Sequence, residues 1–138
     1  MTENSKQLVR AGYDQISEKY HELLGVSSVR HEWAGRLMSG LPEAGGRVLD
    51  LGCGAGLPVA KDLCAGGHRV VGIDGSAEQI ARAKANVPQA EFILADMASV
   101  AFDNGSFDGV GAFYSMTHLP ADEQCRLIRR VSAWLRPG

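Results

Sequence analysis

The sequence predicts an α/β domain built on a parallel β-sheet, and three observations lead to this prediction. Short apolar segments alternate along the chain with segments in which apolar residues recur at three- and four-residue steps. A glycine-rich turn, Gly52 to Gly56, follows the first apolar segment, and two later apolar segments end on an aspartate, Asp74 and Asp96. Strands that alternate with helices are joined by right-handed crossovers, so we expect these strands to lie parallel.

Length and composition favour a single globular domain. The 138 residues suffice for one core, and the hydrophobic and charged fractions, 45% and 22%, are ordinary for a globular protein. A net charge of −2 without a basic run gives no footprint for nucleic acid, and no apolar run approaches the ~20 residues that span a bilayer. We therefore expect no nucleic-acid or membrane partner. Three cysteines without C-x-x-C spacing suggest neither a disulfide framework nor a metal site, so we expect a reduced, cytoplasmic protein.

The order of the elements follows from periodicity and from turn signals. Apolar periodicity predicts helices over residues 8–24, 28–39, 57–64, 76–88 and 120–135. Ser76 and Gln79 have the spacing of a capping box at the start of the fourth helix. Buried strands are predicted over residues 47–51, 69–74, 91–96 and 107–113.

The candidate functional residues fall where these strands end. In open parallel sheets, ligands bind beyond the carboxyl ends of the strands, at the point where the strand order reverses. The glycine turn, Asp74, Asp96 and Phe113 all lie at such ends. Glycines let a backbone bend sharply and approach a ligand closely, and the helix after the turn offers N–H groups. This edge of the sheet therefore suits a nucleotide-like molecule.

The turn departs from the pattern that binds dinucleotides. That pattern, G-x-G-x-x-G, requires glycine where this chain has Leu57. Asp50, two residues before Gly52, would not help to bind a negative pyrophosphate, but it could orient an ammonium group. A ligand with an amino-acid end is therefore favoured over one with phosphates, and a nicotinamide-dependent oxidoreductase is a disfavoured alternative.

With these residues in place, the sequence resembles the class I S-adenosylmethionine-dependent methyltransferases. Four stretches carry the resemblance: Asp50 to Gly56 for the family's first motif, Ile73 to Ile80 for its D-x-S-x-x-M stretch, Ala95 to Met97 for its third-strand motif, and Tyr13 to Tyr20 for the entry helix of members that act on small molecules. The resemblance implies a Rossmann-like parallel sheet of strand order 3-2-1-4, with helices on both faces and N-terminal helices before it.

The resemblance also implies which residues bind S-adenosylmethionine. Asp74 would accept hydrogen bonds from the ribose hydroxyls, and Asp96 with the Met97 backbone would bind the adenine. Asp50 and the Phe113 carbonyl would face the ammonium group of the methionine part. The remaining expected contacts are the turn residues Gly52, Cys53, Gly54 and Gly56, the residues Gly75 and Gln79 that follow the second strand, and Tyr13 and Tyr20 for the carboxylate.

The expected reaction is methyl transfer to a small-molecule acceptor. Methyl transfer needs alignment and the exclusion of water, and it needs a base only where the acceptor carries a proton of high pKa. His118, just past the fourth strand, is the candidate base, since an imidazole takes up a proton near neutral pH. The Asn-Pro-Pro-Tyr signature of some amine and nucleobase methyltransferases is absent, because Phe113-Tyr-Ser-Met116 stands in its place.

The family's sheet continues beyond four strands, so we expect residues 1–138 to be a methyltransferase domain that lacks its C-terminal strands. An open edge on the fourth strand would then need covering, for which a second copy of the chain is a candidate. The alternative function is a non-catalytic fragment that binds S-adenosylmethionine and associates through this edge.

Overall fold

A computed structural model describes residues 28–43, 45–112 and 119–137, which form four helices and four strands. Helices and strands alternate along the chain up to the third strand, as the periodicity predicts, and the fourth strand follows the third without a helix between them. In chain order they are α1 (Ser28–Ser39), β1 (Arg47–Leu51), α2 (Val59–Ala65), β2 (Arg69–Asp74), α3 (Ala77–Asn86), β3 (Glu91–Leu94), β4 (Gly109–Gly111) and α4 (Ala121–Trp134). The predicted helix over residues 8–24 lies outside the described residues.

The four strands form one parallel sheet in the order β3-β2-β1-β4, which confirms the predicted topology. Asp50 at the end of β1 pairs with Gly72 of β2 on one side and with Gly111 of β4 on the other. Asp74, the last residue of β2, pairs with Leu94 of β3. The carboxyl ends of the four strands therefore meet along one edge, and the strand order reverses beside β1.

Helices cover both faces of this sheet, and each face has its own core. Alternate residues of β1 point to opposite faces, so Val48 packs in one cluster and Leu49 in the other. The first cluster holds buried residues of α2 and α3, with Leu37 of α1 packed against it. The second holds buried residues of α4, including Trp134.

Two strands are shorter than predicted. β3 ends at Leu94 rather than at residue 96, because the chain turns there: the Asp96 carbonyl accepts hydrogen bonds from the N–H groups of residues 99 and 100. β4 covers only 109–111 of the predicted 107–113. Phe107 instead forms an isolated parallel bridge to Leu135, just after α4, and residue 113 lies outside the described residues.

A glycine in β2 lets the first core close beneath the carboxyl edge. A Cβ built on Gly72 would lie 2.6 Å from Cδ1 of Phe92 and 2.9 Å from Cβ of Cys53. The phenyl ring of β3 therefore occupies the space that a side chain at residue 72 would need. It packs directly against the backbone of β2, below the glycine turn.

Among the residues that the structure describes, no helix combines the length and apolar character needed to cross a bilayer.

Candidate functional site

The glycine turn between β1 and α2 is fixed to the end of β2. The N–H groups of Gly52 and Cys53 donate to the Ile73 carbonyl at 2.7 and 2.9 Å. Gly52, Gly54 and Gly56 have φ angles of 71°, 57° and 81°, in the left-handed region that favours glycine. The turn therefore has a defined shape that other residues could adopt only with strain.

Gly56 has a second reason to be glycine. A Cβ at this position would lie 3.1 Å from Cγ2 of Val87, which is tighter than ordinary van der Waals contact, and 3.4 Å from Cζ of Phe92. The Asn86 side-chain amide also donates to the Ala55 carbonyl at 3.0 Å. The end of α3 thus packs against the turn and holds its outer part in place.

Asp74 joins the turn to the start of α3. Its Oδ2 accepts a hydrogen bond from the Gly54 N–H at 3.0 Å, and its Oδ1 accepts one from the Ser76 N–H at 2.9 Å. These bonds fix the orientation of the carboxylate at the carboxyl edge. A carboxylate has about four acceptor positions, so holding two amide groups is compatible with accepting hydrogen bonds from a ligand's hydroxyls.

The predicted capping box forms only in part. Ser76 Oγ accepts from the Gln79 N–H at 3.2 Å, as predicted. In a complete box the Gln79 side chain would accept from the Ser76 N–H, but Asp74 accepts that bond instead. The prediction of the reciprocal bond is wrong, because the carboxylate of Asp74 accepts the hydrogen bond from the Ser76 N–H in place of the Gln79 side chain.

Gln79 is consequently a buried amide without its expected partner. Its side chain is only 2% exposed, and its Oε1 finds no hydrogen-bond partner among the described residues. A Cβ on Gly54 would lie 3.8 Å from its Nε2, so the amide lies directly behind the glycine turn. Counted from Asp74, the sixth place of the D-x-S-x-x-M stretch, where that pattern has methionine, falls on Gln79 and not on Ile80, the residue taken for it from the sequence. An unsatisfied polar group at such a place calls for a functional explanation.

Asp50 is a buried acid under the turn. Burial is the largest cause that raises the pKa of its carboxyl group, and the nearby charge of Asp74 raises it further, while the charge of Arg30 lowers it; together they bring the pKa to about 7. The side chain is 2% exposed. Asp50 can therefore change charge near neutral pH, and a cationic group placed beside it would favour the charged form.

Cys53, inside the turn, has an unreactive thiol. Burial, followed by the negative charges of Asp50 and Asp74, raises its pKa well above its usual range. The thiolate is the nucleophilic form of cysteine, so this thiol stays protonated and acts as a small buried side chain. The sequence predicts Cys53 as a contact of the turn with the ligand, and a small, buried, protonated side chain is compatible with that position.

Asp96 lies just beyond the end of β3. The N–H of Ala95 donates to the Asp74 carbonyl at 3.1 Å, which keeps the chain beside β2 for one residue after the strand. Asp96 Oδ1 then accepts from the Ala98 N–H at 2.9 Å. The half-buried Met97 packs against the second core. The two aspartates thus end neighbouring strands at one edge of the sheet.

The structure therefore brings together most of the predicted site. The turn, Asp50, Asp74, Gly75, Gln79, Asp96 and Met97 all lie at the carboxyl edge or directly below it. Tyr13, Tyr20, Phe113 and His118 lie outside the described residues. Within the described ranges, no group of three potential metal ligands is close enough to hold a metal ion.

Arg30 is not among the site residues predicted from the sequence, although its charge acts on Asp50. Arg30 lies in the first turn of α1, which contains no acidic residue. Acidic residues are the ones that stabilise the first turn of a helix, so a basic residue there is locally unfavourable. That mismatch is the signal by which the sequence could have identified it.

Comparison with known proteins identifies a family. A family model described as a methyltransferase domain matches residues 48–138. The 27-O-demethylrifamycin SV methyltransferase of Amycolatopsis mediterranei is 30% identical over 159 residues, which cover 100% of this chain and 58% of that protein. The trans-aconitate 2-methyltransferase of Variovorax paradoxus is 41% identical over 107 residues, covering 71% of this chain and 37% of that protein.

A solved structure gives the same result for the fold. The S-adenosylmethionine-dependent methyltransferase from Mesorhizobium loti superposes with a TM-score of 0.66 at 33% identity, over 78% of this chain and 50% of that one. Sequence and structure comparisons thus agree. The chain spans about half the length, 58%, 44% and 42%, of the first three relatives that it matches.

Proposed function

This chain belongs to the methyltransferase-domain family that its motifs predict, and from this premise we propose that it transfers a methyl group from S-adenosylmethionine to a small-molecule acceptor. The observation that carries the proposal is the position of Asp74, whose carboxylate is held by the turn and by α3 at the edge where ligands bind.

The residues at the edge fit the parts of S-adenosylmethionine. Asp74 is a fixed anionic acceptor suited to the two ribose hydroxyls, and hydrogen bonds to a charged group contribute roughly 1.5–3 kcal/mol. Asp50 suits the ammonium group, since a cation would stabilise its charged form. Asp96 stands one strand further along the edge and suits the exocyclic amino group of the adenine. The order of these groups along the edge supports one extended ligand.

When bound, S-adenosylmethionine supplies a methyl group attached to a positively charged sulfur. A nucleophile takes this methyl group in a single displacement, and the sulfur leaves as the neutral thioether of S-adenosylhomocysteine. The chain's own contribution is to bind, to orient and to exclude water. The buried, protonated Cys53 places no competing nucleophile beside that group. His118 remains our candidate for a base where the acceptor has to lose a proton.

The acceptor class rests on the relatives. Two of the relatives are named as methyltransferases of 27-O-demethylrifamycin SV and of trans-aconitate, both of them small molecules. Location in the cytoplasm and a homodimer through the outer edge of β4 stay predictions. The alternative is a non-catalytic fragment that binds the cofactor but transfers no methyl group. A turnover assay has to distinguish this alternative from an active enzyme.

The experiment that tests this function is a turnover assay with a panel of acceptors. The chain is incubated with S-adenosylmethionine and with phenols, polyketide hydroxyls or carboxylic acids, and formation of S-adenosylhomocysteine is measured with methylated product by mass. We expect product with at least one class. Binding of the cofactor without product from any acceptor would contradict the enzymatic part and favour the fragment.

Gln79 offers a test of the cofactor site through stability as well as binding. Replacement by methionine removes a buried amide oxygen that lacks a partner, so we expect the free energy of unfolding to rise by about 1 kcal/mol. If the amide serves the ribose together with Asp74, affinity for S-adenosylhomocysteine should fall by about three- to tenfold. Urea unfolding and calorimetric titration measure the two effects.

Lys84→Met, which introduces the same side chain at an exposed position of α3, is the matched control. It should change neither quantity. A Gln79→Met variant that loses stability while binding unchanged would show instead that the amide is a structural part of the helix start.

A further inference from the structure

The loop after β3 begins with a turn, residues 96–100, that is closed on Asp96. The Asp96 carbonyl accepts hydrogen bonds from the N–H groups of Ser99 and Val100 at 3.1 and 3.0 Å. The Asp96 carboxylate accepts a further bond from the Ala98 N–H at 2.9 Å. The orientation of this carboxylate at the carboxyl edge of the sheet therefore depends on where the Asp96 turn lies.

Arg130 of α4 contacts this turn from the second face of the sheet. Its Nη1 donates to the Ala98 carbonyl at 2.7 Å, although the two residues are 32 positions apart in the sequence. A hydrogen bond from a charged guanidinium is shorter and stronger than one between neutral groups, and this one is partly buried. Ala98 therefore links the two side chains, since its N–H donates to Asp96 and its carbonyl accepts from Arg130.

The second core supports the guanidinium of Arg130. Its Cζ lies 5.3 Å from the centre of the Trp134 ring, one helical turn further along α4, where the ring attracts a cation. Trp134 is buried, and its ring meets the Phe102 ring edge to face with 5.1 Å between the ring centres. Phe102 lies in the loop after β3, and Met97 of the Asp96 turn packs against the same core. Arg130 thus reaches the turn from a support that is packed into the core.

We propose that Arg130 is a positioning residue for the adenine of the cofactor, because it holds the Asp96 turn in place from α4. This assignment rests on the proposed function, in which the Asp96 carboxylate accepts a hydrogen bond from the exocyclic amino group of the adenine. It adds a residue that acts through the turn and not on the ligand itself. A hydrogen bond to a ligand weakens steeply when its distance or angle departs from the optimum, so a small shift of the turn would be felt in binding.

A purely structural role for Arg130, as a link between α4 and the loop, makes a different prediction. Loss of such a link would lower the free energy of unfolding and would weaken every nucleoside ligand by the same factor. Loss of a positioning residue weakens chiefly the ligand that uses the contact with the amino group. Two ligands that differ at this group therefore separate the two roles.

The test compares S-adenosylhomocysteine with S-inosylhomocysteine, in which a carbonyl replaces the exocyclic amino group of the purine. In calorimetric titrations, wild type should bind S-adenosylhomocysteine at least about tenfold more tightly than the inosine analogue. Arg130→Met keeps an apolar side chain beside Trp134 but cannot donate to Ala98. In this variant the preference should shrink by about three- to tenfold, mainly through weaker binding of S-adenosylhomocysteine. Arg130→Lys, which keeps a charged donor without the planar fork, should fall between the two.

Arg126→Met is the matched control, because Arg126 is exposed on the same helix and pairs with Asp122. It should keep the preference of wild type. Arg130→Gln has an amide that is two atoms too short to replace the guanidinium, so it should behave as Arg130→Met does. Thermal unfolding of each variant checks folding, and Arg130→Gln carries the comparison if Arg130→Met does not fold.

Each outcome decides the assignment. A preference equal to that of wild type in the folded Arg130 variant, whether both ligands bind as before or both are weakened alike, would overturn the positioning role. A wild type that binds the two ligands equally would also overturn it and would leave methyl transfer from S-adenosylmethionine intact. Failure of wild type to bind either ligand would overturn the proposed function together with this assignment.

Discussion

Replacement of Asp74 by alanine is expected to weaken binding of S-adenosylhomocysteine at least about tenfold, which corresponds to about 1.4 kcal/mol. The variant loses the carboxylate that we propose as acceptor for the ribose hydroxyls. It also leaves the N–H groups of Gly54 and Ser76 without the oxygen atoms that they now contact at 3.0 and 2.9 Å. We expect a large effect because, in the proposed site, one side chain both shapes the turn and contacts the ribose. Calorimetric titration measures it directly.

A second pair of ligands separates these two contributions. Adenosine and 2′,3′-dideoxyadenosine differ only in the ribose hydroxyls. Wild type should bind adenosine more tightly, and Asp74→Ala should remove most of that difference, as in a double-mutant cycle. Equal weakening of the two nucleosides would show that Asp74 only shapes the turn. Asp103→Ala, which removes an exposed carboxylate from the loop before β4, is the control and should bind both as wild type does.

Replacement of Asp50 by asparagine is expected to stabilise the protein above neutral pH. An aspartate in an unfolded chain has a pKa of about 4, whereas the folded-state pKa of Asp50 is about 7. The folded state therefore keeps a proton that the unfolded state releases. The stability that this proton contributes is complete below about pH 4 and is lost as the pH rises to about 7. At about 1.4 kcal/mol per unit, wild type should lose a few kcal/mol relative to Asp50→Asn over this range.

Urea unfolding of both proteins from about pH 5 to pH 8 measures this difference, since the variant has no charge to bury. A constant difference between the two curves across that range would contradict the buried, titrating carboxyl group.

The same substitution should reduce function where it increases stability. Asparagine has no charge to offer the ammonium group, so S-adenosylhomocysteine should bind at least about tenfold more weakly than to wild type at pH 8. The affinity of wild type should also rise between about pH 6 and pH 8, as Asp50 becomes charged, whereas that of Asp50→Asn should not show this rise. For 5′-methylthioadenosine, which lacks the ammonium group, neither protein should show it.

Most of the fold could be predicted from the sequence, because the patterns that indicate its helices and strands are local. The alternation of buried strands and amphipathic helices predicts the parallel sheet, and the order β3-β2-β1-β4 is confirmed. The ends of the strands were harder to predict. Phe107 reads as part of an apolar strand, but it pairs with Leu135, a contact across 28 residues that no local pattern contains. Likewise, β3 ends early because the turn after it draws the chain away.

The candidate site, too, could be predicted from the sequence only in part. The glycine turn and the two aspartates at strand ends are visible as motifs, and the structure places them at one edge. The hydrogen bonds of Asp74 were not visible, because the sequence spacing of Ser76 and Gln79 fits a capping box equally well. Arg30 was missed because it precedes Asp50 by 20 residues and approaches it only through the packing of α1 against α2. Long-range packing decides such pairs.

The central claim is that one edge of this sheet binds S-adenosylmethionine. Calorimetric titration of the whole chain with S-adenosylhomocysteine, beside an identical titration with NADH, tests it most directly. We predict saturable one-to-one binding of S-adenosylhomocysteine and no binding of NADH. Binding of NADH with no response to S-adenosylhomocysteine would contradict the account.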